Sequence, residues 1–120
     1  MKKLPSSTAK RSSCSVATAL DVFGDKWTLL IVRDIGLFGR HRNKEFQASK
    51  EGIPSNILAN RLKSLQEKGL IRRVPYQNNP PRYEYFLTEA GEDLVPIVRA
   101  MAQWSAEHVA GIRLPKKVAR

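Results

Sequence analysis

The chain has 120 residues, 42% of them hydrophobic, and one cysteine, which fits a single domain with a modest core and excludes an internal disulfide. Lysine and arginine total 21 against 11 acids, a net charge of +10, so the partner to expect is a polyanion, nucleic acid first. No apolar run reaches the roughly 18 residues that cross a bilayer, and the basic start MKKLPSSTAKRSS lacks the apolar stretch of a secretory signal; a reducing cytoplasm is the expected setting.

Residues 1–13 read as a solvated basic arm, carrying Lys2, Lys3, Lys10 and Arg11 without an acid. The folded domain is expected over 14–112, with a basic, frayed tail at 113–120. Ser12 or Ser13 is placed to cap a first helix, CSVATALDVF, that ends at Gly24. Asp25 caps a second, KWTLLIVRDIGLF, whose centre from Trp27 to Ile35 is apolar nearly all round and reads as the buried spine. The turn GRHR follows; Arg40, His41 and Arg42, with Lys44, are candidate phosphate contacts. Asn43 caps a short third helix, KEFQASKE, with Phe46 and Ala48 inward, and Gly52 ends it. After Ile53-Pro54, Ser55 is the expected N-cap of a fourth helix over 56–68 that stops at Gly69.

The period then changes. LIRRVPY and RYEYFL flank QNNPP, which is turn chemistry, and predict an antiparallel hairpin with strands near 70–75 and 82–87. Pro75 belongs near a strand end or an edge, where its missing N–H is tolerated. Thr88 caps a last helix over about 89–110, with Glu89, Glu92 and Asp93 near its positive end. Pro96 falls inside this helix and should kink it or open one turn.

The fourth helix carries two faces. At about 100° per residue, Leu58, Leu62 and Leu65 share one side, while Asn56, Asn60 and Lys63 take the other. Arg61 lies on the flank of the leucine stripe. An outer face of short amides and a cation differs from the Glu/Lys mixture of an idle surface helix. Asparagine can bond an adenine edge as donor and acceptor together, and serine and lysine can reach bases or phosphates. The candidate recognition residues are therefore Ser55, Asn56, Asn60, Arg61, Lys63 and Ser64. The charge distribution agrees: residues 40–73 concentrate the arginines and lysines, whereas 84–107 are mainly acidic.

A short helix, the turn EGIPS, a polar-faced helix and a basic two-stranded hairpin follow the order of a winged helix-turn-helix. The overall class is mainly α with a small β hairpin. Arg72, Arg73, Gln77, Asn78, Asn79 and Arg82 are the candidate wing contacts. One such module touches few base pairs, and specific affinity usually needs two half-sites. Leu94, Val98, Met101 and Trp104 on the last helix supply apolar area for a self-interface.

CSVATALDVFGDKWTLLIVRDI, the segment GIPSNILANRLKSLQEKGLIRR, and PPRYEYFLTEAGEDLVPIV with its following Trp together resemble the HxlR-type transcriptional regulators, over about residues 14–110. Asn43 and Pro54-Ser55 depart from that pattern, which often has an aromatic and Ser-Pro there. The resemblance implies a bacterial or archaeal, nucleoid-associated homodimer of MarR-like architecture, acting as a repressor or activator on a pseudo-palindromic operator in double-stranded DNA. It also implies a dimer surface built from the first and last helices, which adds Val16 and Leu20 to the four residues above.

Cys14 falls at the first turn of helix one, where the helix dipole favours thiolate. Lys10 and Arg11 act in the same direction. The resemblance implies a position that some members use to sense oxidants or electrophiles, so Cys14 is a candidate redox sensor. With no second cysteine, only an adduct or an intermolecular disulfide can form.

His41 and His108 lack metal-ligand spacing. No nucleophile, phosphate-loop or dinucleotide motif is present, so neither enzyme activity nor a cofactor nor a metal is expected, and no membrane association. Two other readings remain open from the residues: a non-specific basic nucleic-acid binder, and a regulator answering a small-molecule effector held among Phe23, Trp27, Tyr85 and Trp104.

Overall fold

A computed structural model describes residues 12–118; Lys2, Lys3, Lys10 and Arg11 of the arm lie outside them. The elements run α1 (Ser15–Phe23), α2 (Thr28–Gly36), α3 (Asn43–Gln47), α4 (Ser55–Glu67), β1 (Ile71–Gln77), β2 (Arg82–Leu87), α5 (Glu89–Glu92) and α6 (Val95–His108). The order is that of a winged helix-turn-helix, with a two-stranded antiparallel sheet as the wing. No helix among the described residues is long and apolar enough to cross a membrane.

The core is built from α2, α3, α4, both strands and α6, with Val22 and Phe23 of α1 and Ala90 of α5 partly buried against it. Ile31, Val32 and Ile35 of α2 meet Phe46, Ile53, the leucines 58, 62 and 65 of α4, and Leu70, Ile71, Tyr85, Leu87, Leu94 and Val98. The helix α2 is the spine, as its apolar centre requires. Close approach to α6 is permitted by Gly36, where a methyl would press on Val95 Cγ2 at 2.8 Å and Leu87 Cδ1 at 3.0 Å.

Several helix starts shift from the sequence expectation. The Asp25 carboxylate does cap α2, accepting from the N–H groups of Trp27 and Thr28 at 3.0 Å each, and it also accepts from the Thr28 hydroxyl. The helix nevertheless begins only at Thr28, because the cap reaches across an Asp-led turn. Pro54, not Ser55, is the N-cap residue of α4, in extended conformation, with Ser55 as the first helical residue. Arg42, not Asn43, precedes α3. That helix is held by Glu45, whose carboxylate folds back to accept from the N–H groups of His41 at 2.8 Å and Arg42 at 3.0 Å. Its length is five residues, so KEFQASKE is helical only in its first half. Ala48 is exposed and Ser49 is buried instead: three positions after Phe46 returns to the inner face of a helix, two does not.

The last helix is divided. Thr88 caps α5, its hydroxyl accepting from the Gly91 N–H at 3.2 Å and donating to the Gly69 carbonyl at 2.6 Å. The chain then breaks at Asp93–Leu94 and restarts as α6, with Pro96 in its first turn, where a missing N–H costs nothing. This is the opened turn that Pro96 required. The tail expected to fray at 113–120 is anchored as far as residue 118: Val118 is buried, and its carbonyl accepts from Arg99 Nη1 at 2.6 Å. The recognition-helix candidate α4 is fastened to α1 by Lys68, whose ammonium donates to the Val22 carbonyl at 2.9 Å.

Candidate nucleic-acid interface

The two faces of α4 separate as the wheel demands. Leu58, Leu62 and Leu65 are buried, while Ser55, Asn56, Asn60 and Lys63 are exposed and Ser64 is half-buried. The leucines, with Ile57 packed beside them, fix the roll of this helix about its axis, because burying each of the three leucine side chains is worth about 2 kcal/mol. The amides are left pointing to solvent as a result. Gly69, at φ 77°, takes the left-handed conformation that ends α4 and turns the chain into β1.

Arg61 sits apart from the exposed set. Its Nε is buried without a hydrogen-bond partner, 3.8 Å from Asp25 Oδ2, and 30% of the side chain remains accessible. Burial works to raise the Asp25 pKa, but the donors on Thr28 and Trp27, with the Arg61 charge, outweigh it and hold the carboxylate below its ordinary range.

The wing pairs Ile71 with Leu87, Arg72 with Phe86, Arg73 with Tyr85, Val74 with Glu84, Pro75 with Tyr83 and Gln77 with Arg82. A bulge falls between Pro75 and Gln77. The first strand thus runs two residues past its expected end, and Pro75 lies within it, tolerated because a two-stranded sheet is all edge. Arg72, Arg73, Asn78, Asn79 and Arg82 are exposed. Two of the arginines lie on rings of the opposite strand: Arg72 is 5.1 Å from the Phe86 centroid and Arg73 is 4.0 Å from that of Tyr83. Stacking orients these guanidiniums without consuming their N–H donors. Gln77 is engaged locally, its amide donating to the carbonyls of Pro80 at 3.1 Å and Asn79 at 3.4 Å across the wing tip.

The four residues expected at phosphates divide. Lys44 is exposed. Arg42 lies over the Tyr76 ring at 3.9 Å and donates to Glu84 at 3.1 Å. His41 is built into the base of the wing, its Nδ1 2.9 Å from the Tyr85 carbonyl and its ring 4.6 Å from that of Phe86. Arg40 turns inward to Asp34 and Ser49. What the sequence did not reveal is that α3 and the wing enclose a common groove of about 430 Å³. Arg42, Asn43 and Lys44 line it from one side, and Tyr76, Gln77, Arg82 and Tyr83 from the other. Candidates far apart in sequence, Arg42 and Lys44 with Gln77 and Arg82, thereby share one basic trough.

The terminal helices carry an apolar surface. Val16 is 66% exposed, Leu20 53%, Met101 52% and Trp104 60%, a large apolar area left in water. Leu94 and Val98 behave differently: both pack into the chain's own core. Ile97 is exposed instead. Cys14 is exposed at the N-cap of α1. The N–H groups of Ala17 and Val16 hold its thiol below the ordinary pKa, burial opposing them only weakly. Its own N–H donates to Ser12 Oγ at 3.1 Å. The residues considered for an effector site are scattered: Trp27 borders a small cavity beside Asp34, Tyr85 borders the wing groove, and Trp104 stands in the open.

The helix-turn-helix arrangement has close relatives. A family described as HxlR-like helix-turn-helix matches residues 22–112. The chain is 45% identical over 95 residues to Rv3095 of Mycobacterium tuberculosis, named an uncharacterized HTH-type transcriptional regulator; the match spans 79% of this chain and 59% of that protein. Thus the chain spans about three-fifths of the length of that relative. Among solved structures, the redox regulator HypR in its reduced form superposes with a TM-score of 0.72 at 33% identity, covering 81% of this chain and 95% of that one. The reduced form of the transcriptional regulator YodB from Bacillus subtilis gives 0.63 at 27% identity, covering 82% and 97%. The chain belongs to the HxlR-like helix-turn-helix family of regulators.

Proposed function

We propose that the chain is a DNA-binding transcriptional regulator that places α4 in the major groove of an operator and lays its wing over the adjacent backbone. One observation carries this reading: the leucines of α4 are covered while Asn56, Asn60 and Lys63 face solvent. Ser55, Asn56, Asn60 and Lys63 read bases; Arg72, Arg73 and Arg82 hold phosphates, with Lys44 across the groove. Two copies join through Val16, Leu20, Met101 and Trp104 and set two α4 helices on the half-sites of a pseudo-palindrome, as a repressor. Half-sites about 34–36 Å apart match one DNA turn.

The test is selection of bound duplexes from a random pool. The expected product is a symmetric site; a pool that emerges without sequence preference overturns the reading in favour of non-specific binding. The exposed, acidified thiol of Cys14 supports a second element, that an oxidant or electrophile alters operator affinity. Repeating the selection after diamide treatment checks it. Affinity unchanged in the parent and in Cys14→Ser removes sensing and leaves regulation through another effector or through none.

A further inference from the structure

We propose that Asp34, Arg40 and Ser49 are positioning residues for DNA reading, forming with Arg33 and Glu51 a polar clasp that fixes the α3–α4 turn. The inference rests on the reading of α4 as the base-contacting helix. Asp34 lies near the end of α2, with 4% of its side chain accessible. Its Oδ1 accepts from Arg33 Nε at 3.0 Å, Arg33 Nη2 at 2.8 Å and Arg40 Nη1 at 3.2 Å. Its Oδ2 accepts from the Ser49 hydroxyl at 2.8 Å. Arg40 Nη1 also donates to Ser49 Oγ at 2.8 Å. Arg33 extends outward to Glu51, donating to its two oxygens at 3.0 and 2.9 Å.

The placement matters more than the number of bonds. Ser49 and Glu51 belong to the turn between the two helices, six and four residues before α4 begins at Ser55. Gly52 adopts φ 68° between them and Ile53, which enters the core. The turn is therefore tied to α2 by polar bonds at 49 and 51 and by apolar packing at 53. The leucines set the roll of α4, but its translation and tilt depend on where this turn is held. Two guanidiniums converge on one carboxylate oxygen, so replacing Asp34 by asparagine removes the charge they share and leaves Glu51, bonded to Arg33, as the remaining carboxylate of the clasp. Arg40 and Arg33 also lie on the Phe38 ring, at 5.1 and 5.2 Å, which limits where either can move.

A positioning role and a phosphate contact predict different binding data. Loosening the turn penalises base reading, which needs a fixed helix, and leaves non-specific phosphate binding intact. The experiment measures the affinity of the full chain for its selected duplex and for a scrambled one across a salt series, at a temperature where circular dichroism shows each variant folded. Asp34→Asn should lower the ratio of the two affinities roughly tenfold, with the scrambled-duplex affinity and salt slope unchanged. Ser49→Ala, which removes only a hydroxyl, should lower it about threefold and carries the test if Asp34→Asn does not fold. Arg40→Gln should follow the same pattern. If Arg40→Gln instead weakens both duplexes alike and flattens the salt slope by about one, Arg40 is a phosphate contact and the clasp is overturned. Wild-type ratios in Asp34→Asn and Ser49→Ala overturn it too. A parent that shows no preference between the duplexes overturns the base-reading assignment itself, before any variant is compared.

Discussion

Asn60 and Leu62 lie two positions apart on one helix and have opposite duties, which makes them a sensitive pair to substitute. Asn60→Ala removes a donor and an acceptor from the exposed face. On the proposed reading it costs about 1–3 kcal/mol at one base position and leaves the other positions alone, as measured by binding to a panel of singly changed operators. Leu62→Ala removes buried methyl groups and should cost about 2–5 kcal/mol of folding stability in urea titration, with base preference retained by whatever remains folded. Protonation offers a further check on single residues. Glu51 is held below its ordinary pKa by the Arg33 guanidinium that donates to it, burial opposing. A carboxylate depressed in the folded state adds stability above its unfolded pKa and loses it as pH falls through the folded value. Stability should therefore decline with acid in the parent, and Glu51→Gln should show a shallower decline in thermal melts between neutral pH and the carboxylate range. The Cys14 thiol, held down by the N–H groups of Ala17 and Val16, should alkylate with a pH midpoint below that of free cysteine.

At the level of elements, the wing and α5 invite comparison. Arg72, Arg73 and Arg82 are exposed along the hairpin. Replacing any one with Gln should weaken all duplexes alike and reduce the salt slope by about one, read from affinities at several salt concentrations. Gly91 on α5 has no such freedom: a Cβ there would collide with the Leu70 carbonyl oxygen and press on Leu87, so Gly91→Ala should lower the melting temperature by several degrees. The elements themselves were largely legible. Leucine spacing located α4, turn residues located the hairpin, and Thr88 and Pro96 marked both the start of the last helical segment and its break. What escaped was decided by contacts between distant residues. Arg40 and His41 sit in a basic turn that reads as phosphate-seeking, yet a buried Asp34 and the wing base claim them. Leu94 and Val98 share a helical stripe with Met101 and Trp104, and no periodicity could tell that the core ends between them. The Ser55 cap missed by one residue because Pro54 can supply the extended conformation that precedes a helix.

For the whole molecule, the exposed apolar side chains of α1 and α6 are the large-scale feature that the core leaves in water. If two chains join there, Trp104→Glu should shift the sedimentation profile from dimer toward monomer and weaken a two-half-site operator far more than a single half-site. Lys68 connects this scale to the smallest one. Its ammonium bridges the end of α4 to the Val22 carbonyl near the end of α1, so any rearrangement that shifts α1 must either break that bond or drag α4 along. In the proposed dimer on its operator this bond would couple the seating of one chain against its twin to the depth of α4 in the groove, so that an event at the junction is felt by the bases without touching the DNA.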